Sequence, residues 1–173
     1  MIRLAAAADL KAVSAIYDAI LDQEAAGGVT YTNWQRGKYP TADTARSALE
    51  DGTLYVGEDE GLIWGVVNLN GVQLPEYDAI PWSIPAAPEE AAVIHTLCIH
   101  PSAAGRGRAR QMVAFCEEEA RRLGKTVMRL DTWEGNVPAN RLYPSLGYRF
   151  AGTAEFFFQG FIRENLNCYE KAL

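Results

Sequence analysis

The sequence predicts a single mixed α/β domain in which helices flank a central β-sheet. The chain has 173 residues, of which 49% are apolar, and a chain of this length buries roughly 70% of its unfolded surface on folding. Short apolar runs typical of strands alternate with longer segments in which apolar residues recur at helical spacing. Because neither an internal repeat nor a linker-like stretch interrupts this pattern, residues 1–173 are predicted to fold as one domain.

The first half of the chain predicts the order β-α-α-β-β. Apolar residues at helical spacing follow Asp9, a candidate N-cap, and Thr41 is suited to cap a second, shorter helix. The strands are bounded by turn residues. The expected elements are a strand at 2–5, a helix from residue 10 to the Gly27–Gly28 pair, a short helix between Thr41 and Gly52, and strands at 53–58 and 62–69.

The second half predicts the order β-α-β-α-β-β after a long loop. Prolines at positions 75, 81, 85 and 88 remove backbone donors, which excludes a central strand from residues 71–90, the proline loop. Ala91–Ile99 is a nearly continuous apolar run, typical of a strand covered on both faces. The remaining elements are a helix at 109–123 stopped by Gly124, a strand at 126–131, a helix capped by Asn136 and ended by Gly147, and strands at 148–155 and 165–171.

Charge and cysteine content argue against several classes of protein. The 16 Lys and Arg against 22 Asp and Glu give a formal charge of -6, whereas proteins that bind nucleic acid usually carry a surplus of cations. Three dispersed cysteines and two histidines show no ligand spacing, so we expect reduced thiols and no metal. The first ten residues are too short and too weakly apolar for a signal peptide or a membrane span. We therefore expect a cytoplasmic protein with neither nucleic acid nor membrane as partner.

The loop that follows the Ala91–Ile99 strand carries arginines at alternate positions. A helix N-terminus carries about half a positive elementary charge, so cations there are unfavourable unless an anion binds. Glycines within the loop would let the backbone approach phosphate oxygens without a Cβ in the way. A solvated basic loop is the alternative. The residues expected to hold an anionic ligand are Gly105, Arg106, Gly107, Arg108 and Arg110.

Two stretches match the signatures of a known family. Ala104-Gly-Arg-Gly-Arg-Ala109 is similar to a Gln/Arg-x-x-Gly-x-Gly/Ala signature, with matches at Gly107 and Ala109 and with Ala104 in place of the usual polar residue. Residues 129–148 are similar to a second signature, which flanks a thioester. Over nearly its whole length the sequence thus resembles the GCN5-related N-acetyltransferase (GNAT) family. The resemblance implies a GNAT-like domain that uses acetyl-coenzyme A (acetyl-CoA).

The resemblance also implies roles for individual residues. Tyr143 corresponds to a family tyrosine that gives a proton or a hydrogen bond to the coenzyme sulfur, although a tyrosine that only packs on its neighbours is the alternative. Backbone groups near the end of the Ala91–Ile99 strand would hold the pantetheine arm, and an amide N–H there would face the oxyanion. Capping alone would explain Asn136. The further coenzyme contacts that the resemblance implies are Leu97, Cys98, Ile99, Ala109, Asn136 and Asn140.

The general base has two candidates. Asp131 ends the expected strand, at a position where some relatives carry a catalytic glutamate, and burial would raise its pKa. His95 is the second candidate, although a core histidine explains it at least as well. In the aromatic loop, residues 31–40, Trp34 and Tyr39 are expected to line the acceptor pocket, although aromatics that cover a core edge would explain them equally well.

The expected activity is transfer of an acetyl group from acetyl-CoA to a primary amine of a small molecule or peptide. The amine would attack the thioester directly in a ternary complex. A non-catalytic, coenzyme A-binding regulatory or scaffold module is one alternative, and an O-acyltransferase is another. A homodimer is left open by the sequence.

Overall fold

The computed structural model describes residues 1–158, 160 and 162–173. Within these residues, seven strands and four α-helices follow in the order β-α-α-β-β-β-α-β-α-β-β, which confirms the predicted mixed α/β class. The strands are β1 (Ile2–Leu4), β2 (Leu54–Asp59), β3 (Leu62–Asn70), β4 (Ala91–Ile99), β5 (Val127–Trp133), β6 (Arg149–Phe158) and β7 (Ile162–Ala172). The helices are α1 (Leu10–Gly27), α2 (Ala42–Glu50), α3 (Arg108–Arg122) and α4 (Val137–Ser145).

The strands form a mixed sheet in the hydrogen-bonded order β1-β2-β3-β4-β5-β7-β6. β4 and β5 are parallel, as expected for strands joined by a helical crossover, whereas β7 is antiparallel to both β5 and β6. The parallel ladder pairs Ala91–Ile94 with Val127–Leu130. β4 itself continues to Ile99, and β5 stays paired with β7 as far as Trp133.

The chain divides into two compact units, each with its own apolar cluster. The first unit comprises Met1–Val29, Trp34–Leu69 and His95–Cys116, and the second comprises Thr30–Asn33, Asn70–Ile94 and Glu117–Leu173. That residues 1–173 fold as one domain stays a prediction. The buried cluster of the first unit is Val13, Ile16, Tyr17, Ala45, Ala48, Leu54, Val56, Val66 and Cys98. That of the second unit is Tyr77, Ile80, Val93, Phe156, Leu166 and Cys168.

Asp9 does not cap α1 through its side chain, contrary to expectation. Its carboxylate accepts a hydrogen bond from the Ala6 backbone N–H at 2.8 Å and pairs with the Arg3 guanidinium at 2.7 Å. Because a charge-assisted bond is stronger than a bond to a single amide, the arginine determines where the carboxylate points. Thr41 does cap α2, with its Oγ1 accepting from the backbone N–H of Thr44.

The last two strands are longer than the sequence pattern predicted. β6 and β7 pair from Arg149 to Phe158, and this cross-strand pairing extends them beyond the segments in which apolar and polar residues alternate. The sequence also predicts that residues 156–161 contribute to acceptor specificity. This stretch belongs partly to the hairpin, but Gln159 and Phe161 lie outside the described residues. The proline loop contains two short 3-10 turns and, in this described segment, no strand, as predicted. Among the described helices, none has both the length and the apolar character of a membrane span.

Candidate active site

The glycine loop, residues 104–110, leads into α3 in the first unit. Gly105 and Gly107 have left-handed φ angles of 73° and 75°, which favour glycine. A Cβ at either position would meet no atom within 4 Å, so these glycines serve the conformation of the loop rather than its packing. The Gly107 carbonyl accepts from the N–H of Gln111 at 3.0 Å, so the first turn of α3 follows directly. An open glycine loop before a helix N-terminus fits a phosphate group.

The three loop arginines lie in different surroundings. Arg106 and Arg110 are exposed. Arg108 forms an ion pair with Asp59, and its guanidinium lies 4.6 Å from the centre of the Trp64 ring. The chain itself thus supplies an anion for Arg108, whereas the sequence pattern predicts an external anion for all three arginines. Asp59 precedes Arg108 by 49 positions, so no local pattern could reveal it.

The Trp64 ring packs directly against the backbone of Gly57 on the neighbouring strand, where a larger residue would not fit. A Cβ at Gly57 would lie 2.3 Å from Cζ2 of Trp64, which is closer than side-chain atoms can approach. Gly57→Ala must therefore displace the indole on which Arg108 rests, and we expect a loss of about 1–3 kcal/mol of unfolding free energy in urea denaturation. Gly27→Ala, which meets no atom within 4 Å, is the matched control. Equal stability of the two variants would contradict this expectation.

β4 changes conformation at Thr96. This residue has a φ angle of 49°, in the left-handed region, where a β-branched residue costs of the order of 1–3 kcal/mol. Its Oγ1 lies 2.5 Å from Oη of Tyr39, and its carbonyl accepts from Sγ of Cys98 at 3.5 Å. A left-handed residue interrupts the alternation of a strand. Regular alternation along the strand predicts that His95 shares a face with Leu97 and Ile99. The left-handed Thr96 lies between His95 and the other two residues, and the shared face stays a prediction.

Trp34 and Tyr39 pack against each other in the first unit. Trp34 makes edge-to-face contacts with Tyr17 and Tyr39, at ring-centre distances of 6.4 and 6.0 Å, and it packs on the first unit's apolar cluster. These contacts agree with the reading of the two residues as aromatics at a core edge. That they also line the acceptor pocket stays a prediction.

Asp131 lies inside β5, not at the end of the strand as expected, because pairing with β7 continues to Trp133. Its Oδ2 accepts a hydrogen bond from Oη of Tyr77 at 2.7 Å. Burial raises the pKa of Asp131 to about 6, and the nearby charge of Glu76 acts in the same direction, whereas the hydrogen bond from Tyr77 opposes the rise. A carboxyl group with a pKa near neutrality is suited to general base catalysis.

No pattern in the sequence indicates Tyr77 as the partner of Asp131. It lies in the proline loop, 54 residues before Asp131, within a 3-10 turn that begins at Pro75. Tyr77 is buried, and burial raises the pKa of its phenol well above the ordinary value. The phenol therefore stays protonated and acts as a hydrogen-bond donor to Asp131.

A second carboxylate of the same unit, Glu164 on β7, was also missed by the sequence reasoning. Its Oε2 accepts from Nδ2 of Asn33 at 3.0 Å. Burial raises the pKa of Glu164, and the negative charge of Asp131 adds to the rise. Tyr77 and Asn33, which donate hydrogen bonds to these two carboxylates, are neutral. Together the two acids make this part of the second unit favourable for a cation.

Tyr143 is buried on α4 of the second unit. Its ring lies 5.6 Å from that of Tyr148 and 5.9 Å from that of Tyr169, so aromatic packing fixes its position. Asn136 caps α4, with Oδ1 accepting from the backbone N–H of Ala139 at 3.1 Å, as predicted. The catalytic role of Tyr143 and the coenzyme contact of Asn136 stay predictions.

The side chain of Asn140 is held at both ends by its own chain. Nδ2 donates to three backbone carbonyls, at distances of 2.9–3.3 Å. Oδ1 accepts from Nδ2 of Asn167 at 2.9 Å and from Oη of Tyr169 at 2.8 Å. A coenzyme contact through this side chain would therefore have to replace an existing bond. The structure gives Asn140 a role in joining α4 to β7.

The cysteines are buried thiols, which agrees with a packing role. Burial raises the pKa of Cys168 to about 12 and the pKa of Cys98 further still. Thiols with such pKa values are not nucleophiles at neutral pH. Across the described part of the chain, no group of three or more His, Cys, Asp or Glu side chains is placed to hold a metal ion.

A seven-stranded mixed sheet with a glycine loop ahead of α3 agrees with the fold that the family resemblance implies, and the family comparison shows the class. The family model described as "Acetyltransferase (GNAT) family" matches residues 13–148. Because the match covers most of the chain, the chain belongs to the GNAT acetyltransferase family. A search of curated proteins found no match.

Solved structures share the fold over nearly the whole chain. A GNAT-family acetyltransferase from Streptococcus agalactiae 2603 has a TM-score of 0.79 at 22% identity and covers 100% of this chain and 95% of its own. A ribosomal-protein-alanine N-acetyltransferase from Brucella melitensis has a TM-score of 0.72 at 24% identity, with coverages of 100% and 99%. A putative acetyltransferase from Salmonella typhimurium, solved with acetyl-CoA, has a TM-score of 0.69 at 21% identity, with coverages of 100% and 93%. At these identities the similarity establishes the fold.

Proposed function

We propose that this acyltransferase moves an acetyl group from acetyl-CoA to a primary amine of a small molecule or peptide, by direct attack in a ternary complex. Membership of the GNAT family supports acetyl transfer. The observation that carries the choice of an amine is the Asp131 carboxyl, whose pKa of about 6 suits removal of a proton from an ammonium group. Glu164, a carboxylate of the same unit, adds negative charge that favours a cationic acceptor.

The glycine loop is the proposed site for the pyrophosphate of the coenzyme. Gly105 and Gly107 keep the loop open, and Arg106 and Arg110 are exposed cations that would neutralise phosphate charge. Backbone groups of residues 97–99 and of Ala109 complete the proposed binding residues. When bound, acetyl-CoA supplies an acetyl group activated as a thioester.

Two side chains are proposed to move protons. Asp131 accepts a proton from the acceptor's ammonium group, and Tyr77 holds that carboxylate in place through its hydrogen bond. Tyr143 gives a proton or a hydrogen bond to the departing sulfur. Tyr143→Phe keeps the ring packing and should lower kcat while leaving the Kd of acetyl-CoA unchanged. Equal changes in both quantities, or none, would remove Tyr143 from this role.

The arginines of the glycine loop should contribute unequally to coenzyme binding. Arg106→Ala is expected to raise the Kd of acetyl-CoA by about 10- to 100-fold, the value of one charge-assisted hydrogen bond. Arg108→Ala should have a smaller effect, because Asp59 already pairs with that guanidinium. Isothermal titration calorimetry measures both, with Arg46→Ala, an exposed arginine of α2, as the control. If the Kd of Arg106→Ala equals that of the control, the loop is a solvated basic segment.

An acceptor screen tests the proposed function as a whole. The protein is incubated with acetyl-CoA and a library of primary amines, diamines and peptides, and mass spectrometry detects products heavier by one acetyl group. We expect an amide product that resists hydroxylamine. An ester product, which hydroxylamine cleaves, would identify an O-acyltransferase. Thermal stabilisation by acetyl-CoA with no product from any acceptor would favour a non-catalytic coenzyme-binding module.

A further inference from the structure

We infer that Tyr39 is a positioning residue that holds Thr96 in its left-handed conformation and thereby fixes the second half of β4, residues 95–99. The consequence of this contact for catalysis rests on the proposed function, in which residues 95–99 of β4 receive the thioester. The contact itself does not depend on that function. From the sequence alone, Tyr39 is expected to line the acceptor pocket, and no pattern links it to Thr96.

Thr96 needs a contact that stabilises its backbone. A threonine at a φ of 49° persists only where the surroundings hold it, because its branched Cβ crowds the backbone there. The two hydroxyl oxygens of Tyr39 and Thr96 lie 2.5 Å apart, at the short end of hydrogen-bond distances between hydroxyl groups. Both side chains are partly buried, so water is a poor substitute for either partner.

The conformation of Thr96 determines the direction of the next amide. The Thr96 carbonyl points at the buried Cys98 thiol, which donates to it at 3.5 Å. In a planar trans peptide the C=O and N–H point in opposite directions, so the N–H of Leu97 points away from that thiol. This N–H is among the groups that the family resemblance assigns to the thioester. Tyr39 would thus affect the reaction only through Thr96 and the amide of Leu97.

The loop that carries Tyr39 is braced within the first unit. The Gln35 N–H donates to the Tyr39 carbonyl at 3.2 Å, and the Tyr39 N–H donates back to the Gln35 carbonyl at 3.0 Å. The Trp34 ring packs edge-on against the Tyr39 ring, and Pro40 is buried. Because both backbone and ring are held, the Tyr39 hydroxyl is a fixed partner for Thr96 rather than a mobile one.

Four variants test the inference. Tyr39→Phe and Thr96→Val each delete one hydroxyl of the bond, Thr96→Ser keeps it, and Thr53→Val deletes a threonine hydroxyl that bonds elsewhere in the same unit, to the Ala48 carbonyl. Hydrogen–deuterium exchange of the peptide that spans residues 95–99 is measured on the ligand-free protein. We expect about 10-fold faster exchange in Tyr39→Phe and Thr96→Val. Exchange in Thr96→Ser and Thr53→Val should stay at the wild-type rate.

Kinetics test the catalytic consequence. Because a displacement of 1 Å can cost about 100-fold in rate, we expect kcat to fall by about 10- to 100-fold in Tyr39→Phe and Thr96→Val, with the Kd of acetyl-CoA unchanged. Thr96→Ser should restore kcat. The double variant should be no slower than either single variant, since both remove the same bond.

Several outcomes would overturn the inference. Wild-type exchange at 95–99 in Tyr39→Phe would show that the hydroxyl does not hold Thr96. A higher KM for the acceptor at constant kcat would make Tyr39 a substrate contact, and parallel losses of kcat and acetyl-CoA affinity would make its role merely structural. If the wild-type protein acetylates no amine, the proposed function fails, and the exchange measurement still decides whether Tyr39 holds Thr96.

Discussion

Replacing Asp131 with asparagine is expected to lower kcat/KM by about 100- to 10,000-fold, the usual contribution of a general base. Asparagine keeps the shape of the side chain and an oxygen that accepts from Tyr77, but it cannot take a proton. Steady-state kinetics with the acceptor found in the screen measure the effect. Asp78→Asn, an exposed acid in the same 3-10 turn as Tyr77, is the control and should keep wild-type activity.

The pH profile identifies the group that titrates. The base is active as the carboxylate, so kcat/KM should rise with pH through about 6, the pKa of Asp131, and level off above it. Tyr77→Phe removes the hydrogen bond that stabilises the carboxylate, so the rise should move to higher pH. If the rise of kcat/KM stays at the same pH in Tyr77→Phe, another group acts as the base.

The contribution of Asp131 to the free energy of unfolding should fall as the pH rises, whereas its contribution to kcat/KM should increase. A carboxyl whose pKa is raised on folding favours the folded state only at low pH, and this contribution is lost as the pH rises through about 6. Asp131→Asn should therefore be at least as stable as the wild type at pH 8, measured by thermal unfolding. A variant that is inactive and also clearly less stable at pH 8 would show that the lost activity reflects damage to the fold.

Glu170→Gln is expected to lower the free energy of unfolding by about 3–5 kcal/mol. Glu170 is fully buried, and its carboxylate accepts from the Ser83 N–H at 2.8 Å, the Ser83 hydroxyl at 2.6 Å and the Ile84 N–H at 3.2 Å. Its charge also favours the buried Arg129 guanidinium, whose pKa is lowered by burial. An amide removes the charge of Glu170 from the surroundings of that guanidinium and has one oxygen where the carboxylate has two, so its NH2 group must face either the Ser83 donors or the Ile84 N–H.

Urea denaturation measures the loss, and limited proteolysis of the proline loop locates it. Glu89→Gln, an exposed acid of the same loop, is the control and should change stability by less than about 0.5 kcal/mol. If the two variants differ by less than about 1 kcal/mol, the anchoring of Ser83 and Ile84 contributes little to the fold, and the prediction is wrong.

Much of the fold could be predicted because it depends on local patterns. The apolar run of β4, bounded by His100 and Pro101, fixed that strand to the residue, and the glycine loop could be located because φ angles near 75° favour a particular amino acid. The helix caps at Thr41 and Asn136 could also be predicted, because each capping hydrogen bond joins residues only three positions apart.

The parts that could not be predicted depend on contacts between distant segments. Tyr77 reaches Asp131 across 54 positions, and Asp59 reaches Arg108 across 49. The left-handed Thr96 had no sequence signal, because a threonine within an apolar run reads as an ordinary strand residue. The position of Asp9 before a helix predicts a cap, but the structure shows that its carboxylate pairs with Arg3, a residue of β1.

The five hydrogen bonds of the Asn140 side chain limit how this enzyme can be redesigned. No other side chain of that size combines two N–H donors and an acceptor oxygen in one amide group. Aspartate would place negative charge against three backbone carbonyls. Leucine would leave all the hydrogen-bond partners of Asn140 without a bond to this side chain. A library that aims at new acceptors should therefore leave position 140 untouched and diversify residues 31–38 instead.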